Sequence, residues 1–224
     1  MSKIFRKEVI LDFDYTLFDT KAFKQALAGS LKVFGVAAPL FFKFYPQAIV
    51  KHDQQYSYSV SVHLRLLRRL RPQLNLVTGK KLINKIVSDC AKYLYPETKQ
   101  FLTNLRQADF KLILATRGDK QWQGHKVTCS GIRPFFSQVL ISPTLKVLAL
   151  KEFTKNFDEV FFVSDHAGEL AHIKQKLSQL IPIMKLGGHG SVREARQINM
   201  PAFKNLLHIQ KYIINYYQKS NNQN

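Results

Sequence analysis

Val9-Ile10-Leu11-Asp12-Phe13-Asp14-Tyr15-Thr16-Leu17-Phe18-Asp19-Thr20 is the stretch on which the reading of this chain turns. Its opening, Val9–Phe13, is a short, nearly continuous apolar run, the pattern of a strand covered on both faces. Two carboxylates, Asp12 and Asp14, follow at the strand's C-terminal end, where open parallel sheets form their ligand sites. If the strand stays regular through Asp14, both side chains point to the same side. Like charges that close repel and raise a pKa, a cost that a divalent cation or a shared proton relieves. The plain alternative is two solvated aspartates at a turn.

Outward from this stretch, three more runs read as buried strands: Leu112–Ala115, Val160–Val163 and Ile181–Met184. Gln138–Ile141 is a weaker fifth. Helical spacing lies between them, over Glu97–Gln107, Leu145–Asn156 and Gly168–Leu180. Strands alternating with helices predict an α/β fold with a parallel, Rossmann-like sheet and right-handed crossovers. Residues 21–95 break the alternation. They read as helical over Ala22–Phe34, Val60–Leu70 and Gly79–Leu94, with a turn-rich, aromatic Pro39–Tyr58 between the first two. The expected organisation is an α/β core from 1–20 and 96–224, a helical cap from 21–95, and a polar tail at Ser220–Asn224.

The ten residues Leu11–Thr20 resemble the first motif of the haloacid dehalogenase superfamily, Asp-x-Asp-x-[Thr/Val]-Leu followed by a polar pair. The resemblance implies that Asp12 attacks phosphorus, forming an aspartyl-phosphate, and that Asp14 is the general acid/base. Having Asp at the second position favours phosphatase or phosphotransferase chemistry. Three further positions follow from the same resemblance. Thr116, ending Lys111-Leu112-Ile113-Leu114-Ala115-Thr116, would hold a phosphoryl oxygen, with Arg117 and Gly118 contacting substrate. Lys146 would neutralise nucleophile and phosphoryl group; Lys151 and Lys155 are its rivals. Asp165 and Glu169, in Ser164-Asp165-His166-Ala167-Gly168-Glu169, would bind Mg²⁺ together with Asp12 and Asp14. Many members have Gly-Asp or Asp-Asp in place of Ser164-Asp165, and Asp in place of Glu169; oxygen ligands are kept in both cases. The resemblance covers Val9–Thr20 and about 95–184. A cap between the first two motifs is similar to that of the phosphoglycolate phosphatase and β-phosphoglucomutase type.

Charge is the unusual bulk property. The 224 residues carry 34 Lys and Arg against 15 Asp and Glu, a net +19, which favours capture of phosphorylated ligands. Residues 21–95 hold 13 Lys and Arg against 2 Asp and Glu, a net +11. The expected substrate is therefore a small phosphorylated metabolite, with the charge favouring a nucleotide or a phosphorylated acid. A phosphosugar mutase would use the same residues, and a nucleic-acid-binding protein on this fold is the rival from another class. His63–Arg71 reads as a helix with a buried leucine stripe and a solvated arginine face, or as a basic grip on an anionic polymer. His166 reads as a solvated helix-start residue. Gly187-Gly188-His189-Gly190-Ser191 lacks the Lys-Ser/Thr ending of a P-loop and reads as a flexible turn. Phe41, Phe42, Phe44 and Tyr45 either line a pocket or pack the cap. No run of apolar residues reaches membrane-spanning length. Two cysteines, Cys90 and Cys129, without metal-type spacing fit buried thiols in a reducing cytoplasm.

Overall fold

The computed structural model describes residues 7–52, 55–142, 146–154 and 159–221. The apolar opening forms β1 (Glu8–Leu11), with all four residues buried. Asp12 carries the ladder one bond further, its N–H donating to Val163 O at 2.9 Å. There the strand ends. The Phe13 carbonyl accepts from the N–H groups of Leu17 and Phe18 at 3.0 and 3.1 Å, and Tyr15 takes a left-handed φ of 57°. The regular extension through Asp14 therefore does not occur, and the two carboxylates sit on a turn rather than on one strand face.

Asp19 then caps α1 (Thr20–Ser30), its carboxylate accepting from Ala22 N–H at 2.9 Å. Next come α2 (Ala38–Phe44), an antiparallel hairpin of β2 (Ile49–His52) and β3 (Gln55–Tyr58), α3 (Val60–Leu70) and α4 (Leu76–Ser88). The stretch expected to be turn-rich, Pro39–Tyr58, is thus mostly a helix and a hairpin, so the inserted segment, expected to be mostly helical, carries a strand pair as well. In α3, His63, Leu64 and Leu67 are buried while Arg65, Arg68 and Arg69 face solvent, the leucine-stripe arrangement.

The rest of the chain supplies α5 (Thr98–Gln107), β4 (Lys111–Arg117), α6 (Lys120–Cys129), β5 (Gln138–Ser142) and α7 (Lys146–Phe153). It closes with β6 (Val160–Ser164), α8 (Ala167–Lys176), β7 (Leu180–Lys185), α9 (Val192–Gln197), β8 (Ala202–Phe203) and α10 (Leu206–Asn221). The third crossover helix starts one residue before Gly168 and stops at Lys176, so that Leu180 opens a strand instead of ending a helix. Ser220 and Asn221, expected in a polar tail, end α10, and 222–224 lie outside the described residues. Leu145, Lys155 and Asn156 lie outside them as well.

Six strands form one wholly parallel sheet in the order β5-β4-β1-β6-β7-β8. Alternate residues feed two cores. Val9, Leu11, Leu112, Leu114, Phe161 and Val163 join α5, α10 and the inserted segment on one face. Ile10, Ile113, Ala115 and Phe162 join α7 and α8 on the other. Because β1 has a crossover strand on either side, the chain winds in opposite directions from it, and a crevice opens beyond its C-terminal end. Among the described residues no single helix is long and apolar enough to cross a membrane.

Candidate active site

The residues singled out at four strand ends converge on that crevice. A cleft of about 700 Å³ is lined by Asp12, Asp14, Thr116, Arg117, Gly118, Lys146, Asp165 and Glu169, and roofed by side chains of the inserted segment. Asp12 is buried. Its Oδ1 accepts from Phe13 N–H at 2.7 Å; its Oδ2 accepts from Ser164 Oγ at 3.1 Å and lies 2.8 Å from Lys146 Nζ. Lys146 is itself buried and also reaches Glu169 at 2.9 Å. Lys151 is exposed, so of the two described lysine rivals only Lys146 reaches Asp12.

Two carboxylates, Asp12 and Glu169, thus share one ammonium group, and Asp165 lines the same cleft beside them. Burial raises Asp12 to about 7 against the pull of Lys146, with Glu169 and Asp165 pushing the same way. Burial also raises Asp165, although His189 N–H donates to its Oδ2 at 2.8 Å. Among the described residues no three His, Cys, Asp or Glu side chains converge on a single metal point. Glu169 is drawn to Lys146 and Asp165 to the His189 backbone. The donor chemistry nevertheless suits a hard divalent cation, because the carboxylates of Asp12, Asp165 and Glu169 outnumber the single ammonium beside them and offer oxygen ligands.

Asp14 is turned elsewhere, onto α1 and α6. Its Oδ1 accepts from Thr20 Oγ1 and Lys126 Nζ, both at 2.6 Å, and its Oδ2 from Gln123 Nε2 at 2.7 Å. Burial alone would raise its pKa. The Lys126 charge and the three donors outweigh that and lower it. Lys126 and Gln123 are buried and tied to each other at 2.9 Å, and Gln123 also donates to Thr116 Oγ1 at 3.2 Å and to Arg117 O at 2.9 Å. Sequence reasoning missed both. The available signal was Asp119, which caps α6 by accepting from Trp122 N–H at 2.8 Å and so starts a helix directly behind Thr116.

Thr116 is buried at the end of β4, while Arg117 is exposed. Gly118 takes a φ of 141° and donates its N–H to Ser142 O at 2.9 Å, so this amide is already occupied. His166 is exposed and caps α8, its Nδ1 accepting from Glu169 N–H at 3.2 Å. The Gly187–Ser191 loop is not a free turn. It lies against the site so closely that a Cβ on Gly188 would collide with the Asp165 carboxylate and Tyr15. Cys90 is buried and its thiol is pushed up to about 12 by that burial; Cys129, expected to be buried too, is half-exposed.

A parallel sheet with a segment inserted after its first strand, and carboxylates gathered beside one lysine at its switch point, suit a hydrolase of the haloacid dehalogenase class. The chain belongs to that family: the model of the haloacid dehalogenase-like hydrolases matches residues 7–175. A candidate haloacid dehalogenase-like hydrolase from Burkholderia xenovorans LB400 shares the fold at a TM-score of 0.69 and 19% identity, covering 92% of this chain and 96% of that one. A candidate phosphatase from Clostridium difficile is similar at 0.61 and 17%, over 94% and 100% of the two chains. The candidate hydrolase YfnB of Bacillus subtilis, bound to magnesium, is similar at 0.57 and 16%, over 93% and 99%. No curated protein matches the chain by sequence.

Proposed function

We propose that the chain is a magnesium-dependent phosphatase that hydrolyses a phosphomonoester through an aspartyl-phosphate on Asp12. The observation that carries this reading is the Lys146 ammonium 2.8 Å from Asp12 Oδ2, inside a cleft that also holds Asp14, Asp165 and Glu169. A carboxylate oxygen of Asp12 forms the bond to phosphorus as the bond from phosphorus to the leaving oxygen breaks. Asp14, in its acid form, gives that oxygen a proton. In the second step Asp14 is the carboxylate, the form that Thr20, Gln123 and Lys126 hold here, and takes a proton from the water that displaces Asp12. Lys146 and the Thr116 hydroxyl offset charge on the phosphoryl oxygens. Asp12, Asp165 and Glu169, with Asp14 beside them, would hold Mg²⁺, which when bound supplies further neutralisation of those oxygens.

Hydrolysis of p-nitrophenyl phosphate, with and without Mg²⁺, tests the proposal on the wild type and on Asp12→Asn. Turnover that needs the metal and disappears in the variant is expected. Equal turnover by both proteins would overturn it.

A further inference from the structure

The roof of the cleft is aromatic. Phe23 on α1 lies 6.4 Å from Trp122 on α6, centroid to centroid, and Trp122 lies 5.2 Å from Tyr58 at the end of β3. Tyr58 stacks on Tyr45 at 4.7 Å and 16°. Lys24 Nζ then sits 5.0 Å over the Tyr45 ring and 5.7 Å over Tyr15, which follows Asp14 in the chain. These six side chains, four on the inserted segment and two on the core, run in a collar around the same cleft as Asp12 and Asp14.

The collar is held in place from behind. The Phe41 carbonyl can only accept, so His63 carries its proton on Nε2, which lies 3.0 Å from that oxygen. His63 Nδ1 is then an acceptor, and the Tyr58 hydroxyl donates to it at 2.8 Å. The Tyr58 oxygen is thereby directed into the inserted segment, leaving its ring for the collar. The backbone N–H of Trp122 donates to the Asp119 cap at 2.8 Å, which anchors the first turn of α6 from which the ring projects.

We propose that this collar selects phosphomonoesters whose alcohol carries a planar aromatic ring system, with room for a nucleoside; the inference rests on the phosphatase reading above. A sugar phosphate would need partners for several hydroxyls, and each one buried unpaired costs affinity. The collar offers mainly ring faces, with one ammonium and the Tyr15 and Tyr45 hydroxyls among its few polar groups. The carboxylates lining the cleft come from the core: Asp12, Asp14, Asp119 and Asp165 from strand ends and the loops that follow them, and Glu169 from the first turn of α8. Among the described residues no carboxylate lies within ion-pair distance of Lys24, whose ammonium is free for a ring carbonyl or ring nitrogen of the ligand. A volume of about 700 Å³ holds a nucleotide-sized molecule, well beyond a three-carbon phosphate.

Adenosine 5′-monophosphate and ribose 5-phosphate differ only at the anomeric carbon, which bears the base in one and a hydroxyl in the other, so their kcat/KM ratio reads the collar. A stacked base changes affinity by roughly 10- to 100-fold, and a ratio of at least about tenfold in favour of the nucleotide is expected. Trp122→Leu and Tyr45→Leu should each pull that ratio down by about tenfold. Equal turnover of the two substrates by the wild type, or ratios unmoved in both folded variants, would overturn the collar while leaving the phosphatase reading standing. Binding supplies a second readout, since Trp122 is the single tryptophan of the chain. In Asp12→Asn, saturable quenching by the nucleotide and none by ribose 5-phosphate supports the proposal even where neither is hydrolysed. The same response to both, or none to either, overturns it. Phenyl phosphate in a third titration separates the two sources of a flat ring: binding as tight as the nucleotide assigns a one-ring ligand, and binding about tenfold weaker assigns a nucleoside.

Discussion

Removing the ammonium of Lys126 should expose how strongly the fold holds Asp14. The two groups meet at 2.6 Å, with side-chain exposures of 4% for Lys126 and 25% for Asp14. Lys126→Met keeps the aliphatic stem and leaves the carboxylate with Thr20 and Gln123 alone. Breaking one partner of a fully buried pair costs about 3–5 kcal/mol, while exposed pairs contribute about 1 kcal/mol or less. A quarter-exposed carboxylate on a buried lysine falls between, at about 2–3 kcal/mol. The assay is a double-mutant cycle of Lys126→Met, Asp14→Asn and the double variant, each unfolded in urea and followed by helical circular dichroism. A coupling energy of about 2–3 kcal/mol is expected. A value below about 0.5 kcal/mol, typical of an exposed pair, would refute the argument that α6 grips Asp14.

Three further outcomes follow from named contacts. Burial lowers His63 from 6.5 to about 4, so the folded state resists a proton that the unfolded chain accepts. The associated stability is fully present above pH 6.5 and is lost as pH falls towards 4, by about 3 kcal/mol at 1.36 kcal/mol per unit; urea unfolding at several pH values should show this slope in the wild type and not in His63→Gln, and equal slopes would contradict it. Gly188→Ala should cut turnover by about 100-fold with the fold intact, because the added methyl displaces Asp165; unchanged kcat and KM would remove the loop from the site. In the native protein at pH 8, a thiol reagent should modify Cys129 promptly and Cys90 only on unfolding; rapid reaction of both would contradict the burial of Cys90.

The parallel core was legible because its strands are short, continuous and apolar; Asp12, Asp14, Thr116 and Asp165 stand where such strands end, and Lys146 and Glu169 in the first turns of α7 and α8. The hidden parts have a common cause. In α6 the buried residues are Gln123, Lys126 and Val127, so the helix has no apolar stripe to announce it, and its inward face is polar because Asp14 needs partners. The stretch 39–58 is rich in aromatics that suit helix or strand alike, and packing against α3 and the collar decides between them. Gly188 is glycine because its backbone presses on Asp165, a constraint visible only once the end of β7 and the Asp165 loop are adjacent in space. The double carboxylate remained readable even though its strand stops short of Asp14, since the turn that replaces the strand still leaves both groups lining one cleft.

The central claim is a covalent phosphoryl group on Asp12, and acid quenching during turnover of p-nitrophenyl phosphate in Mg²⁺ tests it most directly. Borohydride reduces an acyl phosphate to the alcohol, which tandem mass spectrometry can locate within the tryptic peptide 8–21. The account predicts homoserine at position 12 in the wild type and none in Asp12→Asn. Reduction at Asp14 or Asp19, or none anywhere while the substrate is being turned over, would contradict it.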